Sequence, residues 1–224
     1  MTELPLQFDR PVTLAGGGVL SSAQLKAALR IAPTLIAADG AADRVKELGS
    51  SPDFIIGDLD SVEDAERWRG RSASVIHLTE QDSTDFEKSL YATTAPLYIC
   101  VGFTGARVDH TLAVFHAMLR YPKKSVILLG EADAIALLPP GRRIRFGLPI
   151  GTRFSIFPLL PTRAVWSTGL EWPVDQLEFA TGTTIGTSNR TSAPECGIEM
   201  ASPGALLMLP PEHVAELIDA LKVD

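Results

Sequence analysis

From Val12 to about Leu138, short apolar runs alternate with amphipathic stretches, and this alternation constrains the fold more than any other feature of the chain. Val12-Thr13-Leu14-Ala15, Leu35-Ile36-Ala37-Ala38, Phe54-Ile55-Ile56, Val75-Ile76-His77-Leu78, Leu97-Tyr98-Ile99-Cys100-Val101 and Val126-Ile127-Leu128-Leu129 read as buried strands. Helical periodicity at 21–30, 41–48, 62–68, 84–92 and 109–121 separates them. A repeated strand-then-helix order needs crossover connections, so the sheet is expected to be mainly parallel, with helices on both faces.

After Pro139-Pro140-Gly141 the pattern changes to strand-like pieces at 142–146, 153–157, 164–167, 177–180, 197–200 and 205–209. Glycine and proline turns punctuate them, and helical periodicity returns only at 212–221. Such spacing predicts a small antiparallel sandwich or barrel. The expected organisation is an α/β domain at 1–140 and an all-β sandwich at 141–224, with a linker near 138–145.

Hydrophobic residues make up 46% of the 224 and charged residues 21%, ordinary values that argue against disorder. No apolar run approaches the roughly 20 residues of a membrane helix, and the first ten residues lack the layout of a signal peptide, so a cytoplasmic location is expected. A net charge of −7 provides no global attraction for DNA or RNA. Cys100 and Cys196 form no metal-binding pattern and are expected to be structural.

The chemistry is concentrated where strands end. Pro52-Asp53-Phe54-Ile55-Ile56-Gly57-Asp58-Leu59-Asp60-Ser61 places two carboxylates one residue apart at the carboxyl end of a strand, where open parallel sheets bind ligands. Crowded carboxylates raise each other's pKa unless a cation relieves them, and an all-oxygen set points to Mg²⁺ shared with phosphates. Otherwise Asp58 caps the next helix and Asp60 faces water. Ala15-Gly16-Gly17-Gly18 suits either a tight turn or a close approach to phosphate. In Ala38-Asp39-Gly40, Asp39 could accept from a ribose or base, or cap the following helix.

Gln81-Asp82-Ser83-Thr84-Asp85-Phe86-Glu87-Lys88 follows the fourth strand, with Thr84 as a plausible N-cap. Lys88, three residues after Asp85, shares its helical face and could pair with it or reach a phosphate. Gly102-Phe103-Thr104-Gly105-Ala106-Arg107-Val108-Asp109-His110 adds a planar guanidinium fork for phosphate oxygens and an acid beside it. His110 could equally well cap or pack. Acidic groups to hold a metal and basic groups to offset a nucleotide are the inventory of phosphoryl-type transfer.

Taken in order, Ala38-Asp39-Gly40, the Pro52 to Ser61 segment, the Gln81 to Lys88 segment, Gly105-Ala106-Arg107-Val108-Asp109-His110, Phe154-Ser155-Ile156-Phe157-Pro158, Gly169-Leu170-Glu171-Trp172-Pro173 and Thr187-Ser188-Asn189 resemble the signatures of the thiamin pyrophosphokinase family. The resemblance spans nearly the whole chain. It implies an α/β nucleotide-binding domain, a C-terminal β-sandwich and a homodimer with active sites between subunits. The implied reaction moves the terminal pyrophosphate of ATP to the hydroxyethyl oxygen of thiamin, giving thiamin diphosphate and AMP.

Carried over by position, Asp58, Asp60 and Asp85 hold Mg²⁺. Asp39, Gly40, Gln81, Lys88 and Arg107 line the ATP site, and Ser188 and Asn189 line the thiamin pocket. Lys88, Arg107 and Asp109 serve the transfer, with Asp109 orienting or deprotonating the hydroxyl. Trp172 either stacks on thiamin or, the more ordinary fate, packs in the sandwich. Ala106 stands where the family commonly has a second glycine, while Asp43 and Val114 stand where it often has asparagine. The alternatives are a pyrophosphokinase acting on a hydroxymethylpterin, a non-catalytic nucleotide or thiamin sensor, and a metal-dependent phosphohydrolase.

Overall fold

The computed structural model describes residues 4–60, 68 and 73–222, which divide into two compact units, Met1–Gly130 and Glu131–Asp224. Apart from Trp68, the helix expected at 62–68 lies outside the described residues. Among the described residues, no helix is long and apolar enough to cross a membrane.

The first unit is built on strands β1 (Val12–Ala15), β2 (Thr34–Ala38), β3 (Phe54–Gly57), β4 (Ser74–His77), β5 (Tyr98–Val101) and β6 (Val126–Leu129). They form a parallel sheet in the order β6-β5-β1-β2-β3-β4. Every residue of β1, β5 and β6 is buried, which is why these strands read as mainly apolar runs rather than as alternating ones; Thr13 in β1 is buried with its hydroxyl donating to the Ala32 oxygen at 2.6 Å. The order reverses between β1 and β5, so the loops after these strands flank the switch point at which such sheets open a crevice.

Helices α1 (Ser22–Ile31), α2 (Ala41–Glu47), α3 (Asp85–Ala92) and α4 (Val108–Arg120) are the expected ones, shifted by a residue or two at their ends. Two begin with a reciprocal capping box, Ser21 with Gln24 on α1 and Thr84 with Glu87 on α3. α1 packs on β1 and β5, α2 on β1 and β2, and α3 on β2 and β3. This last contact brings the start of α3 to the acidic turn that follows β3.

The second unit contains β7 (Ala134–Leu137), β8 (Ile144–Gly147), β9 (Ser155–Pro158), β10 (Thr162–Thr168), β11 (Glu178–Phe179), β12 (Glu195–Met200) and β13 (Ala205–Leu209). Antiparallel pairing gives one sheet of order β9-β13-β7 and another of order β8-β12-β10-β11. On β8, Ile144 and Phe146 point inward while Arg145 and Gly147 face out. The Phe146 ring meets Phe154 edge-on, with centroids 5.5 Å apart. Helix α5 (Val214–Leu221) closes the unit against β8.

β7 was not foreseen. Its Ala-Ile-Ala-Leu sequence is weak in strand propensity and too short to show a period, and its place comes from antiparallel pairing with β13. That pairing puts the division of the chain ahead of the expected linker at 138–145.

Candidate active site

The site begins where β2 and β3 end side by side. A Cβ at Gly57 would come within 2.7 Å of the Asp39 Cβ, so only glycine lets the two strand ends close up. Asp39 and Leu59 take up the turn with positive φ angles of 47° and 64°. Asp39 is only 2% exposed. Its Oδ1 accepts from the Leu59 backbone N–H at 2.8 Å, while α2 starts at Gly40 with no side-chain cap. Asp39 therefore serves the acidic turn rather than the helix that follows it. Carboxylate oxygens of Asp39, Asp58 and Asp60 all lie within 4.8 Å of one another.

The next constituents come from α3. The Lys88 ammonium, on a residue only 2% exposed, donates to Asp58 Oδ2 at 2.8 Å and lies 3.6 Å from Asp85 Oδ1. Gln81 Nε2 donates to the same Asp58 oxygen at 2.9 Å. The hydrogen bond from Lys88 holds the Asp58 carboxyl below its ordinary range, against the pull of burial. For Lys88, burial acts to lower the pKa, but the bond to Asp58 and the charges of Asp85, Asp58 and Glu80 outweigh it and raise the value. Both partners are thus kept ionised.

Asp85 behaves in the opposite way. Burial, and then the charge on Asp39, push its carboxyl above the ordinary value of 3.8, only partly offset by Lys88. A raised carboxyl pKa favours folding at low pH, and the advantage disappears as pH rises through the folded value, so at neutral pH ionised Asp85 is a burden. Asp85→Asn is therefore expected to raise the melting temperature near pH 7 in EDTA, an advantage that fades on acidification. An unchanged or lowered melting temperature, read by calorimetry, would show that this carboxylate is not under repulsion.

Arg107 and Asp109 engage each other in a fork, Nε to Oδ1 at 3.1 Å and Nη2 to Oδ2 at 2.6 Å. Their side chains are 67% and 65% exposed. Pairing with Arg107 holds Asp109 low, and Asp109 holds Arg107 high. The loop carrying them interlocks with the Gly16-Gly17-Gly18 turn, where the Gly18 N–H donates to the Gly102 oxygen at 2.8 Å. Ala106 sits at φ +54°, a conformation that explains why glycine would suit the position. His110 is exposed and neither packs nor caps α4 with its side chain.

In the second unit, Asn189 is 3% exposed and its amide is bonded to backbone through both Oδ1 and Nδ2. Its Oδ1 accepts from the N–H groups of Trp172 at 3.2 Å and Arg190 at 2.8 Å, and its Nδ2 donates to the Trp172 oxygen at 2.7 Å. Trp172 does not pack in a core: it is 55% exposed, with the Arg190 guanidinium 5.5 Å from its ring centre. Ser188 takes φ +64° and donates its N–H to Ser155 Oγ at 3.0 Å.

Of the predicted residues, Asp39, Asp58, Asp60, Gln81, Asp85 and Lys88 thus meet in one constellation. Arg107 and Asp109 meet each other, and Asn189 supports the strand-end turn that presents Trp172. Sequence reasoning missed the tie between Asp39 and the Asp58 turn, because it depends on β2 and β3 being neighbours.

Comparison with known proteins places the whole sequence. The family model described as thiamin pyrophosphokinase, catalytic domain, matches residues 25–129, and that described as thiamin pyrophosphokinase, vitamin B1 binding domain, matches residues 143–204. Thiamin pyrophosphokinase 1 of Caenorhabditis elegans is 26% identical over 184 residues, covering 75% of each chain. Thiamine pyrophosphokinase 1 of Oryza sativa subsp. japonica is 31% identical over 154 residues, 62% of this chain and 58% of the rice protein. The thiamin pyrophosphokinase of Candida albicans shares the fold with a TM-score of 0.75 at 17% identity, covering 92% of each chain. That of Geobacillus thermodenitrificans gives 0.72 at 22% identity, covering 89% of this chain and 96% of its own. With both domain models matched in order and an acidic constellation at the strand ends of the first unit, the chain belongs to the thiamin pyrophosphokinase family.

Proposed function

We propose that the chain transfers the terminal pyrophosphate of ATP to the hydroxyl of thiamin, releasing thiamin diphosphate and AMP. The observation that carries this is the convergence of Asp39, Asp58 and Asp60 within 4.8 Å beside the buried ammonium of Lys88. All the donors are oxygens, and their spread is close to the about 4.2 Å across an octahedral Mg²⁺. Asp39, Asp58 and Asp60, with Asp85 at their edge, are the residues that would hold the ion. When bound, it neutralises triphosphate charge and relieves the crowded carboxylates.

The chain's own groups do the positioning. Lys88 and Gln81 fix one Asp58 oxygen, and the other, which takes only a long 3.5 Å bond from the Asp60 N–H, is the one turned to a ligand. Arg107, whose fork is engaged by Asp109, offers the charge of its guanidinium to nearby phosphate oxygens, and Asp109 orients the attacking hydroxyl in line with the β-phosphorus. A carboxylate held low by Arg107 is a good hydrogen-bond acceptor but a weak base, so orientation suits Asp109 better than proton abstraction. In the second unit, Ser188, Asn189 and the exposed Trp172 ring, whose backbone Asn189 ties down, provide the thiamin pocket. A homodimer, Mg²⁺ dependence and a cytoplasmic location complete the proposal.

An acceptor-dependence assay tests it. With ATP and Mg²⁺, AMP is expected only when thiamin is added, in equal amount with thiamin diphosphate. AMP formed only with a hydroxymethylpterin, or phosphate released with no acceptor, would overturn the assignment in favour of the pterin kinase or the hydrolase.

A further inference from the structure

Between β4 and α3, one carboxylate organises the loop that delivers Gln81 and Asp85. Glu80 Oε2 accepts from the backbone N–H groups of Asp82 at 2.9 Å and Ser83 at 3.1 Å. Its Oε1 accepts from the Ser83 hydroxyl, and from the phenol of Tyr91 at 2.8 Å. Tyr91 lies less than two turns along α3 from Asp85, so Glu80 ties the loop to the body of the helix. Four donors converge on one ionised group that makes no direct ion pair among the described residues. The residue next to it, Gln81, donates to Asp58, and the helix that the loop begins carries Asp85 and Lys88.

We infer that Glu80, braced by Tyr91, is a positioning residue for the acidic site: it sets the loop conformation that brings Gln81 to Asp58 and Asp85 to the mouth of the cluster. It touches neither substrate nor metal. Glu80→Gln leaves one neutral acceptor oxygen where the carboxylate offered two charged ones, so the bonds to the Asp82 and Ser83 amides weaken or break and the loop opens. The inference rests on the cluster being the divalent-ion site of the proposed reaction.

The test has two readouts. Hydrogen exchange of the Asp82 and Ser83 amides, measured without metal or substrate, is expected to accelerate in Glu80→Gln while exchange in β1 and β5 is unchanged. Mn²⁺ binding, by calorimetry on the full chain, is expected to weaken by about tenfold, as for other partners that orient metal ligands. Tyr91→Phe, which keeps the backbone bonds, is expected to give a smaller shift in the same direction and keeps the test open if Glu80→Gln does not fold. Unchanged amide exchange and unchanged Mn²⁺ affinity in a folded variant would overturn the inference. If the wild-type chain itself bound no Mn²⁺, the divalent-ion assignment would fail instead, and the two failures are distinguishable.

Discussion

Asp58→Ala is expected to lower thiamin-dependent AMP release by about 10²–10³-fold, the scale seen when a group that stabilises developing charge is removed. It is also expected to cost stability, since the Lys88 ammonium loses its 2.8 Å partner and keeps only Asp85 at 3.6 Å. Breaking a buried pair on one side costs about 3 kcal/mol, or roughly 6–12 °C in melting temperature for a chain of this size. The double variant Asp58→Ala, Lys88→Met removes the stranded charge and should recover most of that loss while remaining inactive. Asp58 has its carboxyl held below the ordinary 3.8, so its stabilisation is present above that value and is lost as pH falls through the folded value. Thermal melts of wild type should therefore fall more steeply on acidification than those of Asp58→Ala. Parallel profiles would show that the pair contributes no coupling.

Asn189→Ala is the second large effect expected. Three backbone groups, the Trp172 N–H and oxygen and the Arg190 N–H, lose the one buried side chain that satisfies them. Leaving such groups unpaired costs about 2–4 kcal/mol in total. The backbone that carries the exposed Trp172 ring then loses its anchor, so the KM for thiamin is expected to rise more than kcat falls. Asn189→Asp keeps the acceptor oxygen and should lie between the two. If Asn189→Ala melted like wild type and kept its KM for thiamin, Asn189 would be neither a brace nor a pocket residue.

Much of this architecture could be read from residues alone, for a physical reason. Parallel strands buried on both faces carry few polar residues, so β1, β5 and β6 announce themselves as mainly apolar runs, with Thr13 of β1 satisfied by the Ala32 oxygen, and the turns that follow hold the polar chemistry. β7 escaped because its alanines pack well enough in a sheet without signalling one. The acidic turn after β3 was legible from two carboxylates crowded at a strand end. That Asp39 belongs to it depends on a positive φ and on a glycine at position 57, and pairing of that kind is not written in either segment by itself. Arg107 is similar: its fork suggested a phosphate anchor, and only the start of α4 shows that Asp109 is close enough to occupy it. Of the two readings open to Trp172, packing in the sandwich is excluded by its exposure, while Asn189 ties its backbone.

Anomalous diffraction from crystals of the full chain grown with Mn²⁺ and a non-hydrolysable ATP analogue tests the central claim most directly. The predicted result is a manganese peak bonded to oxygens of Asp39, Asp58 and Asp60, with the triphosphate completing its shell and Lys88 alongside. A peak held by other residues, or those three carboxylates turned away from one another around bound nucleotide, would contradict it.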